Sequence, residues 1–192
     1  MPTVVLADGY VGSSSCRECH ADEHQSWHDS YHRTMTQVIS KSTAPQAIVN
    51  TQVQVEGQTY SFEQRDGRFF VELDDPTLHG QRATRQLVMM TGSHHMHVFW
   101  YESDSEHTPA QLPIVYLIDQ HRWIPRRSAF LRPSDFPKTT ELGRWNQTCS
   151  SCHSTHPRQR LQKETHVWDT HVAEFGISCE ACHGPGQQHI EL

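Results

Sequence analysis

The feature that most constrains this chain is a short pattern that occurs three times. In each copy two cysteines are separated by two residues, and a histidine directly follows the second cysteine. The copies are Cys16-Arg-Glu-Cys19-His20, Cys149-Ser-Ser-Cys152-His153 and Cys179-Glu-Ala-Cys182-His183, and they contain all six cysteines of the chain. Whatever these three patterns bind must be accommodated by a fold of only 192 residues.

The C-x-x-C-H pattern predicts covalent attachment of haem c. Two intervening residues make about one helical turn, so both sulfurs can reach the two vinyl groups of one porphyrin. The histidine that follows can then bind the iron. We therefore predict three haem c groups, attached through Cys16, Cys19, Cys149, Cys152, Cys179 and Cys182, with His20, His153 and His183 as proximal iron ligands.

Two other sites use paired cysteines and must be weighed against haem. The pairs at Cys149/Cys152 and Cys179/Cys182 could form a zinc ribbon, although their separation exceeds the usual spacing. A single C-x-x-C pair could instead be a redox disulfide. Neither alternative requires a histidine directly after the second cysteine, and all three copies have one, which favours haem.

Composition agrees with a cofactor-rich protein and excludes some partners. Hydrophobic residues make up 35% of the chain, which is low for a self-sufficient core, and three buried porphyrins would add apolar volume. The 16 histidines equal the number of lysines and arginines together. A formal net charge of −6 argues against nucleic acid or an anionic membrane surface as the main partner. No apolar run reaches the length of about 18 residues that a transmembrane helix needs.

The pattern of polar and apolar residues changes along the chain. Side chains at helical spacing predict a helix after the first motif, within about 16–40, and Pro45 ends that region. Alternation and an Asp-Gly turn at Asp66 then predict a three-stranded meander over about 50–75. Further strands are predicted at Gln86–Met90, Met96–Tyr101, Gln111–Ile118 and Arg122–Pro125.

Together these elements indicate an α+β protein with a multihaem cytochrome c fold. We expect one trihaem domain over residues 8–192, in which helices and loops surround the haem groups. A β-rich insertion is expected at about 50–125, between the first motif and the closely spaced second and third motifs.

A low-spin electron carrier needs a second axial ligand for each iron. His32 lies 12 residues after His20 on the predicted helix. At that distance along a helix it would face a haem other than the one attached at Cys16–His20. One of His94 and His95 is expected to be a ligand, with His95 favoured, because the two would point to opposite faces of an extended chain. His189 follows the third motif too closely to cross its own ring and would serve a neighbouring haem.

Several other side chains are weaker candidates. They are His24, His28, His156, His166 and His171 as imidazole ligands, and Met89, Met90 and Met96 as thioether ligands, although methionines in apolar runs more often pack in a core. The arginines Arg126, Arg127 and Arg132 could pair with haem propionates or could simply be solvated.

Several stretches of the chain resemble multihaem c-type cytochromes, of the type related to the tetrahaem cytochrome of hydroxylamine oxidation and to haem domains that precede tetratricopeptide repeats. The resemblance is carried by Tyr10–His20, Trp145–Thr155 and, most closely, Gly176–His189, with Gly92–His95 and Leu112–Tyr116 of the same type. It implies closely packed bis-histidine haems and supports His32, His189 and one of His94/His95 as distal ligands. The chain departs from the tetrahaem pattern because it has three motifs rather than four.

The predicted function is electron transfer, with redox proteins such as other cytochromes as partners. The alternatives are a haem enzyme acting on a small nitrogen or sulfur species, and a subunit of a homo-oligomer or extracellular cytochrome filament. Haem c is attached outside the cytoplasmic membrane, so a periplasmic or extracellular location is expected. Val5-Leu6-Ala7 before Asp8 resembles the end of a signal peptide, and both a trimmed leader and a native start remain open.

Overall fold

The computed structural model describes residues 1–103, 107–130 and 143–192. Arg132, one of the arginines considered for propionate pairing, lies outside these residues. The described part is a mixed helix and strand protein, as the sequence predicts. Among the described residues, no helix is both long and apolar enough to cross a membrane.

The largest element is an antiparallel sheet of eight strands. Its strands are β2 (Thr36–Val38), β3 (Gln52–Val55), β4 (Gln58–Arg65), β5 (Arg68–Asp75), β6 (Gln81–Thr91), β7 (Met96–Tyr101), β8 (Ala110–Leu117) and β9 (Arg122–Pro125). Strands β3 to β9 are neighbours in chain order. The first part of the long strand β6 pairs with β5, and its end pairs with β2. Strands β5 and β2 therefore lie along the same edge of β6, one after the other.

The sheet curls until its outer strands β3 and β9 contact each other, which gives a nearly closed barrel. Alternate residues of each strand point into it, as in Phe69, Val71 and Leu73 of β5, all of them buried. The interior cluster consists of Ile48, Tyr60, Phe62, Phe69, Val71, Leu73, Leu87, Met90, Phe99, Tyr101, Ala110, Leu112 and Ile114.

The predicted meander and the later strands are confirmed. Strands β3, β4 and β5 pair in sequence through two tight hairpins. Each hairpin turn has two residues with positive φ, at Glu56-Gly57 and at Asp66-Gly67, which is the conformation that an Asp-Gly or similar turn provides. Strands β7 and β9 have the predicted bounds, and β6 and β8 include or overlap the predicted runs.

The predicted long helix after the first motif is wrong in its extent. Helix α1 covers only Ala21–His28 and has no buried residue. A turn and a short 3-10 helix at Arg33–Met35 follow, and the chain then enters β2. His32 is therefore not on α1, because the chain leaves the helix in order to pair β2 with the end of β6.

The last part of the described chain consists of short elements. Its helices are α2 (Arg126–Ala129), α3 (Ser150–His153), α4 (Cys179–His183) and α5 (Gln187–Ile190), with one turn of π-helix at Trp145–Cys149. Its strands are β10 (Ser154–Thr155), β11 (Leu161–Gln162), β12 (Val167–Trp168), β13 (His171–Val172) and β14 (Glu174–Phe175). Strand β1 (Thr3–Val4) pairs in parallel with β13 and so ties the first residues to this part.

A second apolar cluster joins the outer face of the sheet to these short elements. Trp145, just before the second cysteine motif, is fully buried and packs on Phe175 with 5.9 Å between ring centres. The cluster contains Val88, Met89, Val98, Trp100, Val115, Trp145 and Val172, and Cys149 packs at its edge. The sheet is therefore a platform against which the second motif is held.

Candidate functional site

Each cysteine motif forms a helical turn, as predicted. In the first motif the His20 amide donates to the Cys16 carbonyl at 2.9 Å, which closes one turn. The second and third motifs end in α3 and α4. In each motif the second cysteine is exposed and the first is half-buried. In each motif, the two cysteines and the histidine that would hold a porphyrin thus lie on one helical turn and can be reached from the surface.

The first and third motifs meet, although they are far apart in the sequence. Burial raises the pKa of the Cys179 thiol, and the Cys16 thiol beside it raises that pKa further. Glu174 fixes the loop before Cys16 by accepting hydrogen bonds from the Ser13 amide at 3.0 Å and from the Ser13 hydroxyl at 2.5 Å. The first cysteines of these two motifs are therefore neighbours.

Glu180, inside the third motif, was not identified from the sequence. Its side chain is 3% exposed and accepts hydrogen bonds from the amides of Val11, Gly12 and Gly186, at 2.8–3.0 Å for the shortest contact of each. The residue between the cysteines of a C-x-x-C-H pattern is variable by definition, so the sequence contained no signal for this role.

The second motif is tied to the start of the third. Strands β10 and β14 pair, and the Gly176 amide donates to the His153 carbonyl at 3.2 Å. The Thr155 hydroxyl donates to the Gly176 carbonyl at 3.1 Å and accepts from the Ser178 amide at 3.0 Å. All three motifs therefore belong to one hydrogen-bonded unit.

His189 lies beside the histidine of the first motif. The ring centres of His20 and His189 are 6.1 Å apart, and their planes differ by 30°. Two imidazoles bound to opposite faces of one iron would have ring centres roughly 6 Å apart, since each metal–nitrogen bond is about 2 Å and each ring nitrogen lies about 1 Å from its ring centre. His24 and His28 have the same separation because they are one turn apart on α1, whereas His20 belongs to the first motif and His189 to the helix α5 that follows the third.

The prediction that His94 and His95 point to opposite faces is wrong. They lie in the turn between β6 and β7, not in an extended strand, and their ring centres are 3.9 Å apart. His94 also stacks on Tyr31 at 4.2 Å, which brings the turn next to His32. Both histidines are exposed, so the structure does not favour His95 over His94.

His32 is exposed and lies beside the third motif rather than along a helix. Its carbonyl accepts a hydrogen bond from the Ile177 amide at 3.0 Å, two residues before Cys179. Nearby, the indole of Trp27 on α1 donates to the Ile177 carbonyl at 2.8 Å. The segment that carries His32 is thus fixed against the approach to the third motif.

A cavity of about 720 Å³ lies against the second motif, with Cys149 and His153 in its wall. Burial lowers the pKa of the His153 imidazole, and the Met35 carbonyl that faces the ring opposes this effect. Gly92 and Met96, which flank the His94–His95 turn, also line the cavity. Its described lining is Thr91, Gly92, Met96, Val98, Trp100, Gln111, Arg126, Phe130, Gly143, Arg144, Gln147, Thr148, Cys149 and His153.

The arginines considered for propionate pairing have different positions. Arg126 is 9% exposed, lines the cavity and donates to the Gln111 side-chain oxygen at 2.9 Å. Burial raises the pKa of the Cys149 thiol, and the positive charge of Arg126 opposes that rise. Arg127 instead forms an ion pair with Glu56 next to the edges of β3 and β9. Arg126 is therefore the better placed of the two.

Many of the remaining histidines have structural roles. Five of them occupy turn positions with positive φ, where histidine is more tolerated than most residues: His79, His107, His121, His156 and His166. His156 also stacks on Tyr10 at 4.1 Å and pairs with Asp8 at 3.1 Å. His171 contacts Asp169 at 3.2 Å. These contacts explain part of the high histidine content without a metal.

Two further expectations concern sulfur ligands and zinc. Met89 and Met90 are fully or nearly fully buried within the two apolar clusters of the sheet. Only Met96 of the three methionines lines the cavity at the second motif. Within the described ranges, no three or more His, Cys, Asp or Glu side chains converge as a metal site.

Comparison with known proteins connects these motifs to a family. The family model described as Cytochrome c554 and c-prime matches residues 15–66 and 125–184, which together are more than half of the chain. The match covers all three motifs and omits most of the β-sheet. No curated protein matches the chain significantly.

One solved structure shares the fold. It is the crystal structure of Outer Cell Wall Cytochrome OcwA, which superposes with a TM-score of 0.57 at 19% sequence identity. The superposition covers 95% of this chain and 33% of that one, so the chain spans about a third of the length of OcwA.

Proposed function

The chain belongs to the cytochrome c554 and c-prime family, and from this premise we propose that it is an exported electron-transfer protein with three bis-histidine haem c groups. Family membership accounts for covalent haem c and for an electron-transfer role. The observation that carries the proposal of three groups is that all three C-x-x-C-H motifs form accessible helical turns within one hydrogen-bonded unit.

Each motif has a candidate partner histidine close to it. We assign His189 to the group held by His20, because their rings are 6.1 Å apart. One of His94 and His95 is assigned to the group held by His153, because their turn borders the cavity at that motif. His32 is assigned to the group held by His183, because its backbone is bonded to the segment that leads into Cys179.

When bound, haem c supplies an iron that alternates between the ferric and ferrous states, and two imidazole ligands keep the change in geometry between those states small. The contact between Cys16 and Cys179 and the bonds between the second and third motifs support short distances between the attachment sites. Short distances favour transfer of an electron from one group to the next. A periplasmic or extracellular location is part of the proposal, because haem c attachment takes place outside the cytoplasm.

The proposal is tested by spectroscopy of protein expressed with haem-maturation proteins. We expect low-spin absorption and electron paramagnetic resonance signals from all haem groups in the ferric state. The variants His32→Ala and His189→Ala should each convert one group to high spin, whereas His171→Ala, which removes a histidine paired with Asp169, should convert none. Unchanged spectra in both His32→Ala and His189→Ala would contradict the ligand assignment.

A second candidate function is a haem enzyme centred on the second motif. Among the described residues that line the cavity beside Cys149, His153 is the one histidine, and the cations Arg126 and Arg144 are also in the wall. If neither His94 nor His95 reaches this site, a small nitrogen or sulfur species could bind there.

Ligand addition separates the two candidates. If the protein is only a carrier, nitrite or hydroxylamine should leave its spectrum unchanged. A high-spin component in the untreated protein that shifts on addition of either compound would support the enzyme. The double variant His94→Ala/His95→Ala serves as the control, because it should create such an open site if the bis-histidine assignment is correct.

A further inference from the structure

The structure joins the loop before Cys16 to the turn that carries His189, and one carboxylate lies between them. We propose that Glu180 is a positioning residue that keeps His189 within binding distance of the iron held by His20. This inference rests on the proposed pairing of His20 with His189 and adds the residue that enforces it. Glu180 itself is not expected to touch the iron or to exchange electrons.

The carboxylate of Glu180 accepts hydrogen bonds from the loop before Cys16 and from the turn before His189 at the same time. On one side Oε2 accepts from the Gly12 amide at 2.8 Å, and Oε1 accepts from the Val11 amide at 3.0 Å. On the other side Oε1 accepts from the Gly186 amide at 2.8 Å. Residues 11 and 12 lead directly into the first motif, and residue 186 precedes the helix α5 that carries His189.

Burial makes this carboxylate hard to replace. Glu180 is 3% exposed, and a buried charge is tolerated only where hydrogen bonds compensate for its lost hydration. Bonds from amides to a charged oxygen are about twice as strong as neutral ones. A glutamine of the same shape would turn an N–H group toward backbone N–H groups, so it could satisfy only part of the set.

The two segments also touch directly, which leaves little room for another arrangement. The Gln187 amide donates to the Gly9 carbonyl at 3.0 Å. A Cβ placed on Gly186 would lie 3.1 Å from Val11 Cγ2 and 3.4 Å from Glu180 Oε1. The position of the turn before His189 is therefore set by the Glu180 carboxylate and by the loop that it holds.

Glu174 and Glu18 provide matched controls. Glu174 holds the same loop through Ser13 and, among the described residues, makes no hydrogen bond to the turn at Gly186, so Glu174→Gln loosens the loop without cutting its link to that turn. Glu18 lies inside the first motif and is exposed. The change Glu18→Gln therefore removes a negative charge close to His20 without breaking a buried hydrogen bond. Glu18→Gln should leave the coordination of the group held by His20 unchanged, whereas Glu174→Gln reports how much loosening of the loop alone raises the high-spin fraction.

The test measures the fraction of high-spin ferric haem in the holoprotein. We expect Glu180→Ala to lower the ratio of His189-bound to unbound iron by about tenfold or more, which is the size expected for the loss of charge-assisted hydrogen bonds. Glu180→Gln should have a smaller effect in the same direction and provides the result if the alanine variant does not fold. Added imidazole should restore the low-spin spectrum.

The double variant Glu180→Ala/His189→Ala shows whether the two residues act through one another. If they do, its high-spin fraction equals that of His189→Ala alone. A spectrum of Glu180→Ala and Glu180→Gln that matches that of Glu174→Gln, while His189→Ala is high-spin, would overturn the inference. An unchanged spectrum in His189→Ala would instead contradict the proposed ligand pair.

Discussion

Asp75 lies at the end of β5 and has no exposed surface. Its carboxylate accepts hydrogen bonds from Arg85 at 2.6 Å and from Tyr101 at 2.8 Å. The amide and the hydroxyl of Thr77 donate to it at 2.8 and 2.7 Å. Burial alone would raise the pKa of Asp75, but these hydrogen bonds, that of Arg85 first, outweigh it and hold the pKa below its usual value. Strands β5, β6 and β7 are thus joined at one charged residue.

We expect Asp75→Asn to lower the free energy of unfolding by about 3 kcal/mol at neutral pH, because it breaks a buried ion pair. The pKa of Asp75 is lower in the folded state, so its ionised form stabilises the protein above the unfolded pKa of about 4. That contribution is lost as the pH falls through the folded pKa.

Urea denaturation of both proteins between pH 7 and pH 3 checks this prediction. The difference between wild type and Asp75→Asn should be full at pH 7 and should shrink below about pH 4. Taking the difference cancels the acid effects that the two proteins share. A difference in free energy of unfolding that stays constant or grows toward low pH would contradict the role of the ionised carboxylate.

At the same scale, the candidate haem-binding residues of the motifs can be proposed from the sequence alone, whereas candidate distal ligands can be proposed only in part. The C-x-x-C-H pattern is local, so Cys16, Cys19 and His20 follow from spacing alone. Distal ligands depend on which segments meet in space. The argument for His95 over His94 failed because it assumed an extended chain where the structure has a turn.

Gly176 illustrates how a single close approach positions a whole element. It precedes the third motif with φ of 80°, and a Cβ there would lie 2.5 Å from the Arg33 carbonyl oxygen. The backbone of the 32–35 segment can pack this closely only against glycine. Because that segment also carries His32, the contact sets the distance between His32 and the third motif.

Gly176→Ala is expected to lower the free energy of unfolding by about 3 kcal/mol or more, because it combines backbone strain with a steric overlap. Gly57→Ala is the matched control: Gly57 has φ of 78° but nothing within 4 Å of an added Cβ. It should cost only about 1–2 kcal/mol of left-handed strain. Chemical denaturation of both variants measures the two values, and equal losses would rule out the close packing at Gly176.

Among the elements, strands were predicted better than helices for a physical reason. The strands of the sheet bury alternate residues in a common core, so their period is visible in the sequence. Helix α1 has no buried residue, and its spacing of His24, Trp27 and His28 did not reveal where it ends. Its end is set by distant contacts, such as that of Trp27 with the Ile177 carbonyl.

For the molecule as a whole, the contact between the first and third motifs could not be predicted, because no local pattern encodes a pairing over most of the chain. Net charge, in contrast, follows directly from the sequence. The formal charge of −6 would become more negative with haem propionates, so a redox partner with a basic surface would be attracted over distances near the Debye length.

We therefore expect the rate of electron exchange with a basic redox protein to fall as ionic strength rises from about 0.01 M to about 0.15 M, where the Debye length shortens from about 30 Å to about 8 Å. Stopped-flow kinetics would measure it. An uncharged small-molecule reductant serves as the control, since its rate should change little. A rate with the basic protein that is constant or rises with salt would contradict electrostatic attraction.

The account depends most on the covalent attachment of three haem groups, and the intact mass of the denatured protein tests this directly. The protein should be expressed with haem-maturation proteins and compared with its polypeptide mass of 22.1 kDa. We predict the mass of the polypeptide plus three haem groups, and a double variant Cys179→Ala/Cys182→Ala should lose the mass of one of them. A mass equal to the polypeptide alone, or to the polypeptide with fewer than three haem groups, would contradict the account.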